Sequence, residues 1–398
     1  MDPLLLTFTG RDAPGITAAI AEVLAAASAR LLDIEQVVVQ DFLVLGFSVS
    51  FEDAQAEERA LKELLFAARQ RGLSLDYARR PAHAADDREL FAATAIGRPL
   101  GPEAIHAVAR VLAEHGGNIE RIHELSEGGL TSVEFSVSLP ASADAAPLKR
   151  ALLAAAGQGR FDCALQKESL LRRSKRLVVM DMDSTLIGIE VIDELARAHG
   201  VFEDVSRITR RAMMGEIDYD QSLRERVSLL AGLDARVLTD LAANLPLTEG
   251  AETLLKVLKR LGYKTAVISG GFSHAAEALR ERLGIDHAWS NTLEIQGGRL
   301  TGRVLGQIVN AQRKAELLEQ LAAREGIPLE QVIAIGDGAN DLYMLQKAGH
   351  GIAFHAKPKL REAAHTAISA SGLDAILYLL GIAGRDIQTL AADQERMS

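Results

Sequence analysis

One cysteine in 398 residues, Cys163, leaves no partner for an internal disulfide and no Cys/His spacing for a zinc site. A small buried hydrophobe is the role expected of it. Aromatic residues make up only 4% of the chain, which argues against the stacking platforms of a single-stranded nucleic-acid binder. Basic charge is in deficit: 44 Lys+Arg against 54 Asp+Glu give a net charge of -10, so no nucleic acid is expected as a partner. No uninterrupted apolar run approaches membrane-spanning length, so no membrane is expected either. The opening MDPLLLTFTG lacks the basic-then-apolar order of a signal peptide, and the expected location is cytoplasmic. What remains is an Ala- and Leu-rich chain, 48% hydrophobic and 25% charged, long enough for two or three domains.

The first half repeats itself weakly. IAEVLAA (Ile20 to Ala26) resembles VARVLAE (Val108 to Glu114), and DIE (Asp33 to Glu35) resembles NIE (Asn118 to Glu120). In each copy a β-type run leads to a helical pattern, two strand-like stretches, a second helix and a last short strand. That order, βαββαβ, predicts two ferredoxin-like domains, at residues 1–84 and 85–170. GRDAPGIT, residues 10 to 17, lies at the first strand-to-helix turn of copy one. It resembles the corresponding turn of the ACT family of amino-acid-binding regulatory domains. Gly15 would let the backbone approach a ligand there, and the helix N–H groups would hold a carboxylate. Asp12 and Gly15 are therefore candidate regulatory residues. The second copy reads GRPLGPEA, keeping Gly97 and Gly101 without the Asp-x-Pro-Gly order. Both copies can also be read as dimerisation scaffolds whose glycines only turn the chain.

KESLLRRSKR, residues 167 to 176, reads as a linker or an exposed helix end. Beyond it, strand and helix patterns alternate through RLVVMDMD, KTAVISGG, QVIAIGDG and HGIAFH, with a hairpin around Gly297-Gly298. Alternation of this kind predicts an α/β, doubly wound (Rossmann-like) parallel sheet over residues 171–398, with ligands at the carboxyl ends of the strands. The helical block at about 189–245 is too long for a crossover and reads as an inserted cap. LVVMDMDSTL places Asp181 and Asp183 at the end of a buried strand, where i and i+2 side chains point the same way, roughly 7 Å apart. Two anions held so close need a cation nearby, a proton on one of them, or solvent.

Three strand ends converge: DMDST, SGG (Ser269 to Gly271) and GDGAND (Gly336 to Asp341). With DMDSTLIGIEVIDELA, MMGEIDYDQSLRERVSLL, VISGGF, the lysine of NAQRKAELL and IGDGANDLYML, residues 177 to about 380 resemble the haloacid-dehalogenase (HAD) superfamily, and within it the phosphoserine phosphatase family. The resemblance implies a hydrolase that acts on O-phosphoserine through an aspartyl-phosphate, the last step of serine biosynthesis. It implies Asp181 as nucleophile, Asp183 as general acid and base, and Lys314 as the charge beside the phosphoryl group. It implies Mg2+ held by Asp181, Asp337 and the backbone carbonyl of Asp183, with Asp341 in support. Ser269 and Gly270 would bind phosphate oxygens while Gly271 keeps that turn open. On the cap side it implies Glu190 for the substrate ammonium, Arg226 for its carboxylate and Asn340 for a further hydrogen bond, with Met213, Met214 and Phe272 as an apolar wall. L-serine is the expected product and feedback effector, and a homodimer the expected assembly.

Other readings are weaker on the residues. IGDGAND carries Asp341 where a dinucleotide fingerprint needs its third glycine, and no GxxxxGK[ST] occurs. A P-type pump would carry Asp-Lys-Thr-Gly-Thr, and a haloacid dehalogenase would lack the second acid, which Asp183 supplies. A related small-molecule phosphatase or phosphotransferase with another alcohol stays open. So does an amino-acid sensor with a vestigial phosphatase half.

Overall fold

The computed structural model describes residues 2–79, 87–126, 130–169, 171–172 and 174–392. The chain divides into two compact units, Met1–Asp87 and Arg88–Ser398. The boundary expected at residues 84 and 85 lies outside the described residues.

In the first unit, β1 (Leu4–Arg11), α1 (Ile16–Ala26), β2 (Arg30–Val39), β3 (Phe42–Ser50), α2 (Ala54–Gln70) and β4 (Ser74–Arg79) follow the expected βαββαβ order. The sheet order is β2-β3-β1-β4, with antiparallel β1·β3 and β1·β4 pairs. Alternation along β1 and β3 sends Leu4, Leu6, Phe8, Leu43, Leu45, Phe47 and Val49 into one core against Ile16, Ile20, Leu24 and Leu64. Gly15 takes φ +87 at the start of α1, a left-handed backbone that favours glycine.

The second unit opens with the same motif: β5 (Arg88–Gly97), α3 (Pro102–Glu114), β6 (Asn118–Glu124), β7 (Thr131–Pro140), α4 (Ala145–Gly159) and β8 (Asp162–Lys167). It continues with β9 (Leu177–Met180) and four cap helices, α5 (Val191–His199), α6 (Phe202–Met213), α7 (Tyr219–Ser228) and α8 (Arg236–Ala243). Then come α9 (Ala251–Arg260), β10 (Lys264–Phe272), α10 (Ser273–Leu283), the hairpin β11 (His287–Gln296) and β12 (Arg299–Leu305), and α11 (Ala311–Arg324). The chain ends with β13 (Val332–Gly336), α12 (Leu342–Lys347), β14 (His350–Phe354), α13 (Pro358–Ala363), β15 (Thr366–Ile368), α14 (Ala375–Leu379) and α15 (Gly384–Ala391).

Strands β10, β9, β13, β14 and β15 are parallel, and β9 lies between β10 and β13. Both faces are covered. Val178 and Met180 enter one core while Leu177 and Val179 enter the other, which is why this strand reads as an unbroken apolar run.

One feature of the sheet is absent from the sequence reading. The sheet of the second repeat is not separate: β15 pairs antiparallel with β8, Thr366 opposite Ala164 and Ala367 opposite Cys163, giving eleven strands in the order β12-β11-β10-β9-β13-β14-β15-β8-β5-β7-β6. The three-residue β15 would otherwise present an unpaired edge. Asp162 strengthens the seam by accepting the N–H groups of Ser369 (2.6 Å) and Ala370 (3.1 Å). Cys163 is buried beside it.

The basic run also differs from expectation. Arg172 and Lys175 are 3% and 8% exposed, Arg172 pairing with Glu134 at 3.0 Å and Lys175 donating to the carbonyl of Glu330. Charge composition alone could not distinguish a solvated linker from a seam that satisfies its cations internally.

His350 on β14 is 6% exposed, meets Thr366 Oγ1 at 3.0 Å and stacks on His365. Burial, then the charges of His365, Lys175, Lys149 and Arg172, push its pKa down to about 3. The folded chain therefore keeps this imidazole neutral where the unfolded chain would protonate it. The stabilisation is complete above the unfolded value near 6.5 and is lost as pH falls toward 3, with a slope of up to about 1.4 kcal/mol per pH unit. His350→Gln should lower the pH dependence of urea stability between pH 6 and 4 by about one proton, read from the fluorescence of Trp289. An unchanged slope would show that His350 is already protonated in the native state.

Candidate active site

The core of the site is built at the ends of β9, β10 and β13. The last ladder residue of β9 is Met180, so Asp181 and Asp183 stand in the turn beyond it, not within the strand as the spacing implied. Asp181 N–H donates to Ile335 O at 2.9 Å, tying this turn to β13. The Asp181 carboxylate accepts Met182 N–H at 2.7 Å through Oδ1. Its Oδ2 lies 2.7 Å from Lys314 Nζ, and the same ammonium lies 2.7 Å from Asp341 Oδ1. Lys314 and Asp341 are fully buried and Asp181 nearly so. Lys314 reaches this position from the first turn of α11, where Asn310 Oδ1 caps the helix by accepting Arg313 N–H at 3.0 Å.

Asp337, just past β13, accepts a hydrogen bond from Thr185 Oγ1 at 3.1 Å. One carboxylate oxygen from each of Asp181, Asp337 and Asp341 falls within 4.8 Å of the others. Burial, then the Asp181 charge, raises Asp337 to about 6 and Asp341 to about 8. Asp183 is raised well above the carboxylate range by burial, then by Glu190 and Asp181, and its Oδ1 is buried without a donor among the described residues. Lys314 is held protonated by its two acids against the opposing effect of burial. The site therefore gathers more negative charge than one lysine neutralises, on hard oxygen ligands that suit a divalent cation.

The turn at the end of β10 lies against Asp183. Ser269 is fully buried, and its Oγ accepts Gly271 N–H at 2.9 Å, so the hydroxyl proton is free for another acceptor. A Cβ at Gly271 would lie 2.5 Å from Met182 Cε and 2.7 Å from Asp183 Oδ2, which only glycine avoids. The carbonyl of Gly270 accepts Asn291 Nδ2 at 2.8 Å and the Tyr219 hydroxyl at 3.2 Å.

Tyr219 belongs to the cap, and burial pushes its phenol up to about 12. Its neighbour Asp220 accepts Asn310 Nδ2 at 3.0 Å, so the start of α7 touches both the β10 turn and the helix that carries Lys314. Glu190 precedes α5 and accepts the Ser184 hydroxyl at 2.8 Å. Desolvation, then the charges of Asp181 and Asp193, raises it, while Arg226 opposes the rise. Arg226 lies in the last turn of α7 and donates to Ser222 O at 3.3 Å.

Thus Asp181, Asp183, Ser269, Gly270, Gly271, Lys314, Asp337 and Asp341 meet at the strand ends, with Glu190 and Arg226 on the cap side. Asn340 Oδ1 folds over Gly338, 2.1 Å from where a Cβ would stand. Phe272 is buried, while Met213 and Met214, expected in a wall that forms once the cap shuts, are 62% and 68% exposed. They close the C-terminal end of α6, and Met213 Sδ lies 3.9 Å from Lys357 Nζ, just past β14. Sequence reasoning missed Thr185, Asn291 and Tyr219. Thr185 completes Asp-x-Asp-x-Thr and was available there; Asn291 and Tyr219 look like ordinary strand and helix residues.

The haloacid dehalogenase-like hydrolase pattern matches residues 175–349, and ACT-domain patterns match residues 2–78 and 91–166. A phosphoserine phosphatase of Streptomyces coelicolor is 47% identical over 397 residues, spanning 98% of this chain and 95% of its own. The chain belongs to the phosphoserine phosphatase family. A second member, phosphoserine phosphatase SerB2 of Mycobacterium tuberculosis, is 43% identical over 98% of this chain and 95% of its own. Among solved structures, a probable phosphoserine phosphatase of Vibrio cholerae aligns with a TM-score of 0.60 at 34% identity, over 75% of this chain and 88% of that one. The chain is a phosphoric monoester hydrolase of this HAD-like family and carries two ACT domains. No helix among the described residues is long and apolar enough to cross a membrane.

Lys314→Met should leave Asp181 and Asp341 facing each other in a dry pocket and destabilise the unit by about 3–5 kcal/mol. Adding Asp341→Asn should recover a large part of that loss, because it replaces a buried acid left without its partner by a neutral group of nearly the same shape. Urea unfolding followed at Trp289 measures both, and strictly additive losses would mean that the three groups do not act as one network.

Proposed function

We propose that the chain hydrolyses O-phospho-L-serine to L-serine and phosphate, the closing step of serine biosynthesis. The observation that supports the reading is the proximity of two unlike sets of groups: Asp181, Asp183, Ser269 and Lys314 at the strand ends, and Glu190 with Arg226 on the cap, Glu190 close enough to feel the charges of both Asp181 and Arg226. The first set suits a phosphoryl group and the second suits the ammonium and carboxylate of an amino acid.

Asp181 attacks phosphorus and the serine oxygen leaves, giving a phosphorylated aspartate that water then hydrolyses. Asp183, held protonated by burial and its acidic neighbours, gives its proton to the departing oxygen and takes one from the attacking water. Lys314 keeps Asp181 oriented and ionised and faces the charge that develops on the phosphoryl oxygens. The Ser269 hydroxyl and the N–H of Gly270 bind those oxygens. Asp181, Asp337 and the Asp183 carbonyl would hold Mg2+, with Asp341 fixing Lys314 beside them. When bound, the ion supplies Lewis-acid stabilisation of phosphoryl charge. Asn340 would add a hydrogen bond to the substrate.

The assembly we infer is a cytoplasmic homodimer. All ten residues of edge strand β2 are exposed, among them Leu31, Ile34, Val37 and Val39, an apolar strip that a second copy would cover. L-serine is the effector we assign to the first ACT domain, at the turn Asp12–Gly15. A Cβ at Gly15 would meet nothing within 4 Å, so a ligand carboxylate has open access to the N–H groups of α1.

Phosphate release from phosphoserine, phosphothreonine and an aryl phosphate, each with and without magnesium, tests the activity directly. Phosphoserine should be the preferred substrate and magnesium required. Arg226→Ala should lower kcat/KM for phosphoserine by about 100-fold, the loss of a charge-assisted pair, and that for the aryl phosphate far less. Equal losses would make Arg226 a structural residue. Removal of residues 1–87, the whole first unit, should leave turnover intact and abolish inhibition by serine. Inhibition that survives the deletion would place the effector elsewhere.

A further inference from the structure

The two repeats use the same turn differently. In the first, the turn at Asp12–Gly15 is exposed. In the second, the turn after β5 is engaged: Arg98 Nη1 donates to Glu249 Oε1 at 2.7 Å. Glu249 follows directly on the segment by which the chain returns from the cap. That return segment pairs with the outgoing one: Gly188 N–H donates to Pro246 O at 3.0 Å, Thr248 N–H to Leu186 O at 3.0 Å, and Ile187 bridges Leu247. These bonds pair the two ends of the cap and form its hinge at the core, while the middle of the cap is tied separately to the β11–β12 hairpin, Gly232 N–H donating to Leu300 O and Ala235 N–H to Gly298 O, each at 2.8 Å.

The far side of Glu249 is fixed as well. Its carbonyl accepts Leu373 N–H at 2.8 Å, and a Cβ at Gly250 would fall 2.4 Å from Asp374 Oδ1. That oxygen is buried and has no donor among the described residues. One guanidinium and two carboxylates therefore meet where the cap re-enters the core. The Arg98 and Glu249 side chains are 42% and 69% exposed, so as a contribution to global stability the pair is small. Its leverage comes from position, beside a hinge only a few residues wide. The body that carries Arg98 is rigid, because β5 belongs to the same continuous sheet as β9 and β13.

We propose that Arg98 is a positioning residue for the cap: the first turn of the second repeat is a strut on the return hinge, and the Arg98–Glu249 pair sets how readily the cap closes over the phosphoryl site. The proposal rests on the reading of the cap as the substrate-recognising lid. Without Arg98, Glu249 and Asp374 are like-charged neighbours and push the hinge out of register. If substrate is held only under a closed cap, its apparent affinity falls in proportion to the closed fraction.

Hydrogen exchange of hinge residues 186–190 and 245–250, without substrate, and KM and kcat for phosphoserine should be measured on the full chain. Arg98→Ala should quicken hinge exchange and raise KM about two- to fivefold, with kcat little changed. Glu249→Ala should do the same, and the double variant should be no worse than the poorer single one. Arg98→Glu combined with Glu249→Arg should restore both readouts, while Arg98→Glu alone should exceed the effect of Arg98→Ala. Wild-type exchange and KM in a folded Arg98→Ala protein, or additive losses in the double variant, would overturn the strut. Should Arg98→Ala not fold, Arg98→Lys and Arg98→Gln separate charge from packing: Lys must preserve hinge exchange and Gln must not. Absence of phosphoserine turnover in the wild type would instead remove the lid reading, and the exchange data would still decide whether Arg98 braces the hinge.

Discussion

Too much negative charge is buried around one lysine, and the rest of the site follows from that excess. Asp181 and Asp341 both rest on Lys314 at 2.7 Å, Asp337 stands within reach of both, and Asp183 and Glu190 crowd in beside them. Five carboxylates around one lysine, Asp181 and Asp341 buried and the others partly open to solvent, are stable only if some hold protons or a cation enters. Chemistry on a phosphate ester needs both solutions at once, in different places. In the proposed reading the acids around Lys314 would hold the metal, while burial and the neighbouring Glu190 and Asp181 keep Asp183 protonated. A scaffold that let these groups relax apart would lose both properties, so the acids are placed at the ends of central parallel strands covered on both faces.

In the proposed reading, recognition is delegated to a separate body: Glu190 and Arg226, the groups it matches to an amino acid, belong to the cap and its entrance, whereas its phosphate-binding groups belong to the strand ends. Binding energy from the amino-acid end can then be used to bring the two together, which raises turnover of the right substrate in preference to merely tightening it. Tyr219 and Asp220 show how the two bodies meet. Their partners are the Gly270 carbonyl and Asn310, the cap of the helix that presents Lys314. On that reading, a movement of the cap would thereby be felt both at the β10 turn and at the helix that carries Lys314.

What the sequence revealed tracks how local the determining physics is. The strands β9, β10 and β13 were legible because a strand buried on both faces must be apolar throughout, and the acids and glycines at their ends cannot belong to such a run. Both βαββαβ units were legible because each element carries its own period. The junction of β15 with β8 was not, since Thr366-Ala367-Ile368 contains nothing that names a partner some 200 residues away; pairing is a property of the assembled edges. Arg172 and Lys175 were misjudged for the same reason: their anions and carbonyls arrive from Glu134 and Glu330. The place of Met213 and Met214 in a wall rests on resemblance alone, since nothing in their local text says what a helix end will face. Tyr219 is hidden by ordinary amphipathic text, because only the fold brings its hydroxyl to Gly270.

The continuous sheet changes what regulation of such a molecule can mean. A second repeat joined to the catalytic strands by a ladder cannot swing as a separate lobe without breaking β8·β15 and releasing Asp162 from Ser369 and Ala370. Its ligand turn has lost the Asp-x-Pro-Gly order and carries Arg98 instead, directed at the catalytic half. Duplication has therefore left one copy with an open turn and another with an occupied one. Any signal reaching the chemistry through the second copy has to pass as a small displacement of a stiff body on a soft hinge. A small displacement at Glu249 would act on the cap through the paired segments at Leu186–Ile189 and Leu245–Thr248, whereas the middle of the cap is anchored separately to the β11–β12 hairpin.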